Sequence, residues 1–217
     1  MSAAAPAALP STTRVGRTKL PPQVTETLSR YLDLLAKWNR TYNLTAIRER
    51  SQMITHHLHD SLAVLPWLPA RDGIRVLDVG TGAGLPGIPL AVARPDSTFV
   101  LLDANHKKIA FVTQAAIELS LANVHAVAAR VEDFVAEQRF DVVISRAFSD
   151  VGTFARLASP LVAPDGVLIA MKGARATDEL GALAPNIAVV ATPELEVAGL
   201  DAKRHLIVMR ATAGGGQ

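Results

Sequence analysis

Ile74 to Gly87 reads IRVLDVGTGAGLPG. Ile74, Val76, Leu77 and Val79 make an apolar run of strand length, and a cluster of glycines follows at once. The pattern predicts a buried strand that ends in a tight turn and opens a helix at Pro86. Gly80, Gly82, Gly84 and Gly87 allow positive φ and let a ligand approach the backbone with no Cβ in the way. Proline suits the first helical turn, where its missing N–H would have had no partner. A strand of this kind delivers a backbone-lined pocket at its carboxyl end, where open α/β sheets bind their ligands.

Two cofactor classes fit the turn. From Gly82 it reads G-x-G-x-x-G (Gly82, Gly84, Gly87), the pattern of a dinucleotide loop. From Asp78 it reads D-x-G-x-G-x-G, which resembles the first motif of the S-adenosylmethionine-dependent methyltransferases. Asp78 separates them. A pyrophosphate needs free helix N–H groups, and a carboxylate two residues ahead of the loop opposes it. A cofactor that carries an ammonium and a sulfonium is attracted by the same carboxylate. The turn therefore nominates Asp78, Gly80, Thr81, Gly82, Gly84 and Pro86 as cofactor-binding, with S-adenosylmethionine as the expected occupant.

The 217-residue chain falls into four parts. Residues 1–22, rich in Ala, Pro, Ser and Thr, read as a disordered arm made basic by Arg14, Arg17 and Lys19. No continuous apolar core follows a basic start, so a secretory signal is not expected. Residues 23–69 read as a helical extension. Val24, Leu28, Tyr31, Leu32, Leu34, Leu35 and Trp38 recur near helical spacing, and Ile54, Leu58, Leu62 and Leu65 repeat the pattern from Met53 onward. Residues 70–211 form the core, and residues 212–217 a flexible tail. The first 70 residues carry eight Lys/Arg against four Asp/Glu, whereas the remainder is slightly acidic. The basic front end leans toward a nucleic-acid partner. No apolar run is long enough to span a bilayer. The absence of cysteine excludes a disulfide framework and a thiolate zinc site, and favours a reducing, cytoplasmic setting.

From Ile74 the periodicity becomes strand–helix alternation, the signature of a parallel sheet covered on both faces. Thr98–Leu102 is the second strand, ending at Asp103, and residues 107–119 its crossover helix. Val124–Ala128 is the third, followed by Arg130, Val131, Glu132 and a short helix. Phe140–Ser145 is the fourth, ending at Arg146, with a helix to about Val162 stopped by Pro164. Gly166–Met171 is the fifth, ending at Lys172. A helix near 176–184 and two closing strands, Ile187–Ala191 and His205–Arg210, complete the core.

The strand ends converge on one edge. Asp103, about twenty residues past the glycine turn, is placed to accept both ribose hydroxyls of an adenosine. Val131 and Glu132 border the adenine. Arg146 and Lys172 end the next two strands and are the nearest the sequence comes to catalytic candidates.

Here a resemblance becomes specific. LDVGTGAGLPGIPLA, the Arg130-Val131-Glu132 step, VISRAF (Val143 to Phe148), MKG (Met171 to Gly173), KWNRTYNLTAIRE and HLHDSL (His57 to Leu62) resemble the bacterial ribosomal small-subunit RNA methyltransferase G family, also called glucose-inhibited division protein B. The resemblance runs in order over roughly residues 24–211. It implies a class I S-adenosylmethionine-dependent methyltransferase fold, a Rossmann-like, mostly parallel seven-stranded sheet with an antiparallel last strand. It also implies methyl transfer to N7 of a guanine in a conserved loop of 16S small-subunit rRNA, with 16S rRNA or the 30S ribosomal subunit as partner, no membrane, and a monomeric enzyme. By resemblance Gly80, Leu85, Val131, Glu132 and Arg146 map to cofactor contacts.

Guanine N7 carries a free lone pair, so its attack needs no base, and none stands out. Catalysis would rest on proximity and alignment. Arg146 is alternatively a partner for the guanine or its phosphate, and Lys172 and Arg204 are expected on RNA phosphate. Phosphate contacts position RNA, whereas an unstacked base gives specificity. Phe148 and Tyr42 are the aromatic candidates for stacking. The three histidines His56, His57 and His59 point to different sides of a helix and do not read as a metal site. By resemblance His57, Asp60 and Ser61 form a motif expected to tie the extension to the mouth of the cleft, beside Asn43 and Thr45. The competing functions are a small-molecule methyltransferase, an NAD-dependent oxidoreductase and a non-enzymatic RNA-binding module.

Overall fold

The computed structural model describes residues 14–15, 18–146, 148, 150–173 and 183–212. The start of the arm, most of the helix expected near 176–184 and the tail beyond residue 212 lie outside them. Within the arm, β1 (Arg14–Val15) pairs antiparallel with β2 (Thr18–Lys19).

Two prolines introduce α1 (Pro22–Tyr42), with Pro22 in its first turn. Leu28, Tyr31, Leu32 and Leu35 follow one another at helical spacing and are fully buried. Asn43 ends the helix in the left-handed conformation at φ 48°. Asn39 then organises the turn that follows. Its amide donates to the carbonyls of Thr45 and Ile47 and its oxygen accepts from Thr45 N.

The second helical stretch is not a single regular helix. α2 (Arg50–Met53) widens into a π-helical segment, Ile54–His59, and resumes as α3 (Asp60–Leu62). Met53, Ile54, Leu58 and Leu62 are buried on one side. A single 3₁₀ turn, Leu65–Trp67, leads to the sheet.

The sheet takes β3 (Arg75–Val79), β4 (Thr98–Asp103), β5 (Val124–Ala128), β6 (Phe140–Ser145), β7 (Val162–Lys172), β8 (Ile187–Ala191), β9 (Glu194–Leu195) and β10 (Arg204–Ala211). Its order is β5-β4-β3-β6-β7-β10-β8, and the short β9 pairs with β10. β3 to β7 are parallel, while β10 lies antiparallel between β7 and β8. The strand order turns back at β3 and β6, which opens a crevice at their carboxyl ends.

Alternate strand residues go to opposite faces. Val76, Val142 and Ile144 join α1, α4 (Gly87–Ala93) and α5 (His106–Glu118) in one core. Leu77, Val79 and Val143 join α6 (Val151–Ala158) in the other. Burial on both faces is why these strands read as unbroken apolar runs. Asn105 caps α5 by accepting from Lys107 N and Lys108 N, and Asp150 caps α6 by accepting from Thr153 N.

One boundary differs from expectation. The helix after Arg146 ends at Ala158, not near Val162, and Pro164 lies inside β7. Pro160 is the cause. It has no N–H to return to the preceding turn, so the chain passes through a 3₁₀ turn, Ser159–Leu161, and enters the strand. The pairing of β6 with β7 is irregular there, and Gly166 is needed because a Cβ would stand 2.9 Å from the carbonyl oxygens of Phe140 and Asp141.

Candidate active site

The glycine turn is closed by its own hydrogen bonds. Gly80 N and Thr81 N donate to Leu102 O, Gly82 N to Asp103 Oδ2, Gly84 N and Leu85 N to Thr81 O, Gly87 N to Asp78 Oδ2, and Ile88 N to Gly84 O. These donors are therefore spent inside the protein rather than aimed at a pyrophosphate. Positive φ at Gly80, Gly82 and Gly84 makes that path possible.

Asp78 is the knot of the turn. It is fully buried, and its Oδ2 accepts from Thr81 Oγ1 at 2.6 Å and Gly87 N at 2.8 Å. Its Oδ1 is buried with no partner among the described residues. Burial pushes its carboxyl up to about 6, against the pull of those hydrogen bonds. Tyr31 fastens the loop from the extension. Its fully buried hydroxyl donates to Ala83 O at 2.6 Å, and burial raises its pKa well above the ordinary phenol value.

Among the described residues, two cavities open at the carboxyl edge. One, of about 300 Å³, is lined by Val79, Gly80, Leu102, Asp103, Ala104, Ala129, Arg130, Val131, Glu132 and Phe148. Its lining is mostly apolar, with the carboxylates of Asp103 and Glu132 and the guanidinium of Arg130 among it, a chemistry that suits a nucleoside. Asp103 accepts from Gly82 N through Oδ2 and from Asn105 N through Oδ1, and Lys108 Nζ stands 3.7 Å from Oδ2, which leaves Oδ1 the more open oxygen for a ligand hydroxyl.

The other cavity, of about 400 Å³, is basic. Arg146, Lys172, Arg204, His56, His57 and His205 line it together with Asp60. Asp60 is buried between two arginines, Arg146 Nη1 at 3.2 Å and Arg204 Nε at 3.0 Å. His57 is buried, with its Nε2 2.9 Å from Thr45 Oγ1. Burial, helped by Arg146, holds its pKa down to about 4, so the ring is neutral at pH 7. Lys172 Nζ donates to Phe148 O at 3.0 Å. Arg146 lines the basic cavity and Phe148, two residues on, lines the nucleoside-sized one, so the end of β6 borders both.

Residues 24–207 match the rRNA small subunit methyltransferase G family. The ribosomal RNA small subunit methyltransferase G of Chromobacterium violaceum is 51% identical over 188 residues, which cover 87% of this chain and 88% of that protein. The chain belongs to the rRNA small subunit methyltransferase G family. Solved structures at lower identity support the fold alone. TrmN from Thermus thermophilus is 23% identical with a TM-score of 0.57, covering 70% of this chain and 48% of that one. A precorrin-6y C5,15-methyltransferase from Geobacter metallireducens is 15% identical with a TM-score of 0.53, covering 79% and 92%. The sheet order with an antiparallel β10 is the class I methyltransferase arrangement that the motifs implied. Family membership sets aside the oxidoreductase and the non-enzymatic binding module.

The methyltransferase G motifs divide between the cavities in ways the sequence did not show. Gly80, Asp103, Arg130, Val131 and Glu132 line the smaller cavity. Asp78, Thr81, Gly82, Gly84, Leu85 and Pro86 do not line either; they build the turn behind it. Asp78 in particular gives its Oδ2 to its own loop, to Thr81 and Gly87, and keeps Oδ1 without a partner among the described residues. Pro86 precedes α4 as its cap, and the helix itself starts at Gly87. Arg146 lies in the basic cavity with His57, Asp60, Lys172 and Arg204. Phe148, expected on the RNA side, lines the smaller cavity and packs on Phe154. Asn43 accepts from Arg48 and Tyr42 packs on Trp38; neither lines either of these two cavities. His56 and His59 go to separate carbonyls, Gln52 O and Ala198 O. Ser61 Oγ donates to His57 O.

Sequence reading did not assign Tyr31, Asn39 or His205 to the site. Asn39 lies within the quoted KWNRTYNLTAIRE stretch, but Tyr31 sits in an apolar helical pattern that conceals its hydroxyl. Among the described residues no helix is long and apolar enough to cross a membrane, and no group of three His, Cys, Asp or Glu is placed to hold a metal ion.

Proposed function

We propose that this chain transfers the methyl group of S-adenosylmethionine to N7 of a guanine in 16S rRNA, acting as a cytoplasmic monomer on the RNA or the 30S subunit. The observation that carries this is the pairing of a nucleoside-sized cavity with a basic one across the end of β6. Gly80, Asp103, Val131 and Glu132 would hold the adenosine part, Asp103 through the ribose hydroxyls. Bound there, S-adenosylmethionine supplies an electrophilic methyl that the N7 lone pair takes while the C–S electron pair returns to sulfur.

The chain's own residues then have a limited task. N7 of guanine has no proton to lose, so no general base is required. The basic cavity matches that need. His57 is held neutral by burial and bonded to Thr45, and Asp60 is tied to two arginines. Rate enhancement comes from holding N7 in line with the methyl and excluding water. Arg146, Lys172 and Arg204 attract the RNA strand. The target guanine enters from a loop or by turning out of its stack, because in a paired A-form helix its N7 edge lies in a deep, narrow major groove.

The test is transfer of label from S-adenosylmethionine to bacterial 30S subunits lacking the modification, followed by cleavage mapping at 7-methylguanine. One labelled guanine in 16S rRNA is expected. Cofactor binding without transfer to 30S particles or free 16S rRNA would sink the substrate and move a small-molecule methyltransferase into its place.

A further inference from the structure

Asp60 is a carboxylate with only 3% of its surface exposed, yet it stands at the lining of the basic cavity. Its Oδ2 accepts from Arg146 Nη1 at 3.2 Å and its Oδ1 from Arg204 Nε at 3.0 Å. Arg146 Nη1 also donates at 3.1 Å to the carbonyl of His56, which belongs to the π-helical segment. The three parts come from α3, the end of β6 and the start of β10, far apart in the chain. Both guanidinium groups line the cavity and keep about a quarter of their side-chain surface in solvent.

A buried carboxylate is costly to desolvate, and replacing such a group by an apolar one is often neutral or stabilising. Fold stability is thus a weak reason for it. What Asp60 does supply is direction. It takes Nη1 of Arg146 and Nε of Arg204 and leaves Nε and Nη2 of Arg146 and Nη2 of Arg204 without a protein partner among the described residues. Arginine N–H groups fixed in this way match phosphate oxygens. The other common arginine target is the O6 and N7 edge of guanine. That edge is barred here, because N7 must stay open to receive the methyl.

We propose that Asp60 is a positioning residue that holds Arg146 and Arg204 as a clamp for an RNA backbone phosphate beside the target guanine, on the rRNA-methylation reading above. The clamp aligns N7 by fixing the nucleotide through its phosphate rather than its base.

The charge change gives a sharp test. Asp60→Asn makes the protein one charge more positive. By bulk attraction alone it should bind rRNA more tightly, with a salt dependence no shallower. Loss of the clamp predicts the reverse. Affinity for 16S rRNA weakens, and the slope of log K against log salt becomes shallower by about one. The methylation rate at saturating 30S subunits falls at least about tenfold; because Arg146 also maps to a cofactor contact by resemblance, the dissociation constant for S-adenosylmethionine is read by calorimetric titration on Arg204→Lys, where it stays within about twofold. Arg204→Lys is the second variant and serves if Asp60→Asn does not fold. It keeps the charge but loses the fixed fork, and the same loss of rate is expected. Tighter rRNA binding by Asp60→Asn, or wild-type rates in Arg204→Lys, overturns the clamp. A wild-type protein that binds cofactor but transfers nothing to 30S subunits or 16S rRNA overturns the rRNA reading itself, and the clamp with it.

Discussion

Asp78 and His57 are both buried ionisable groups, and they bias stability in opposite directions over the same pH range. Asp78 titrates up at about 6, so between pH 4 and 6 the folded protein keeps a proton that the unfolded chain releases. Its contribution to stability falls as pH rises through that window. His57 titrates down at about 4, so between pH 4 and 6.5 the unfolded chain takes up a proton that the folded protein refuses. Its contribution rises with pH and is complete above 6.5. Each amounts to roughly 3 kcal/mol over the window, and the two nearly cancel. We expect His57→Gln to leave a protein that loses stability from pH 4.5 to 6, and Asp78→Asn one that gains it, read by urea unfolding at each pH. Parallel slopes in the two variants would show that neither group titrates as described. Tyr31 makes a simpler case. Tyr31→Phe removes the hydroxyl bonded to Ala83 O in a buried setting. It should cost roughly 1–2 kcal/mol and weaken S-adenosylmethionine binding by calorimetric titration, because the loop loses its anchor to α1. Unchanged binding would mean that the loop holds its shape without Tyr31.

The turn between β3 and α4 shows two different uses of glycine. Gly87 has an ordinary backbone but no room. A Cβ there would stand 2.7 Å from Leu101 Cγ and 2.8 Å from Asp78 Oδ2. Gly82 has room, with nothing nearer than Gly80 O at 4.0 Å, but a φ of +60°. Gly87→Ala should therefore force α4 away from the sheet and cost about 3 kcal/mol. Gly82→Ala should carry only the backbone penalty, about 1–2 kcal/mol. Chemical denaturation of both variants checks the order, and a larger loss at Gly82 would mean that loop conformation, not helix–sheet packing, limits this turn. The π-helical segment Ile54–His59 is the other element with a function of its own. It places the His56 carbonyl within reach of Arg146, in a stretch whose apolar spacing reads as plain helix.

Across the molecule the extension and the sheet share one core. Leu28, Leu32, Leu35, Met53, Leu58 and Leu62 are buried in the same cluster as Ile88, Leu90, Phe99 and Phe111. Tyr31 and Arg146 add polar ties between the two parts. The boundary near residue 70 is a change of pattern in sequence rather than a gap in packing. We expect the full chain to unfold in one calorimetric transition. A fragment beginning at residue 70 should fail to give a folded, cofactor-binding core, judged by circular dichroism and titration. A fragment that folds and binds would show that the sheet is independent of the extension. Methylation by it is not expected in either case, because Asp60 is missing.

The strands from β3 to β6, the glycine turn and the convergence of Asp103, Val131, Glu132, Arg146 and Lys172 on one sheet edge were legible in the chain itself. These features rest on short-range physics: the apolar run of a doubly covered strand, the conformations open only to glycine, and the rule that parallel strands end on the same side. The partners of the polar side chains were not legible. Asp78 gives its Oδ2 to Thr81 and Gly87, because its strand is buried on both faces and the nearest donors belong to its own loop. Asp60 meets Arg146 and Arg204 across separations of 86 and 144 residues. No spacing in the sequence encodes that meeting, because a contact between distant segments exists only once the packed core has brought them to the same edge.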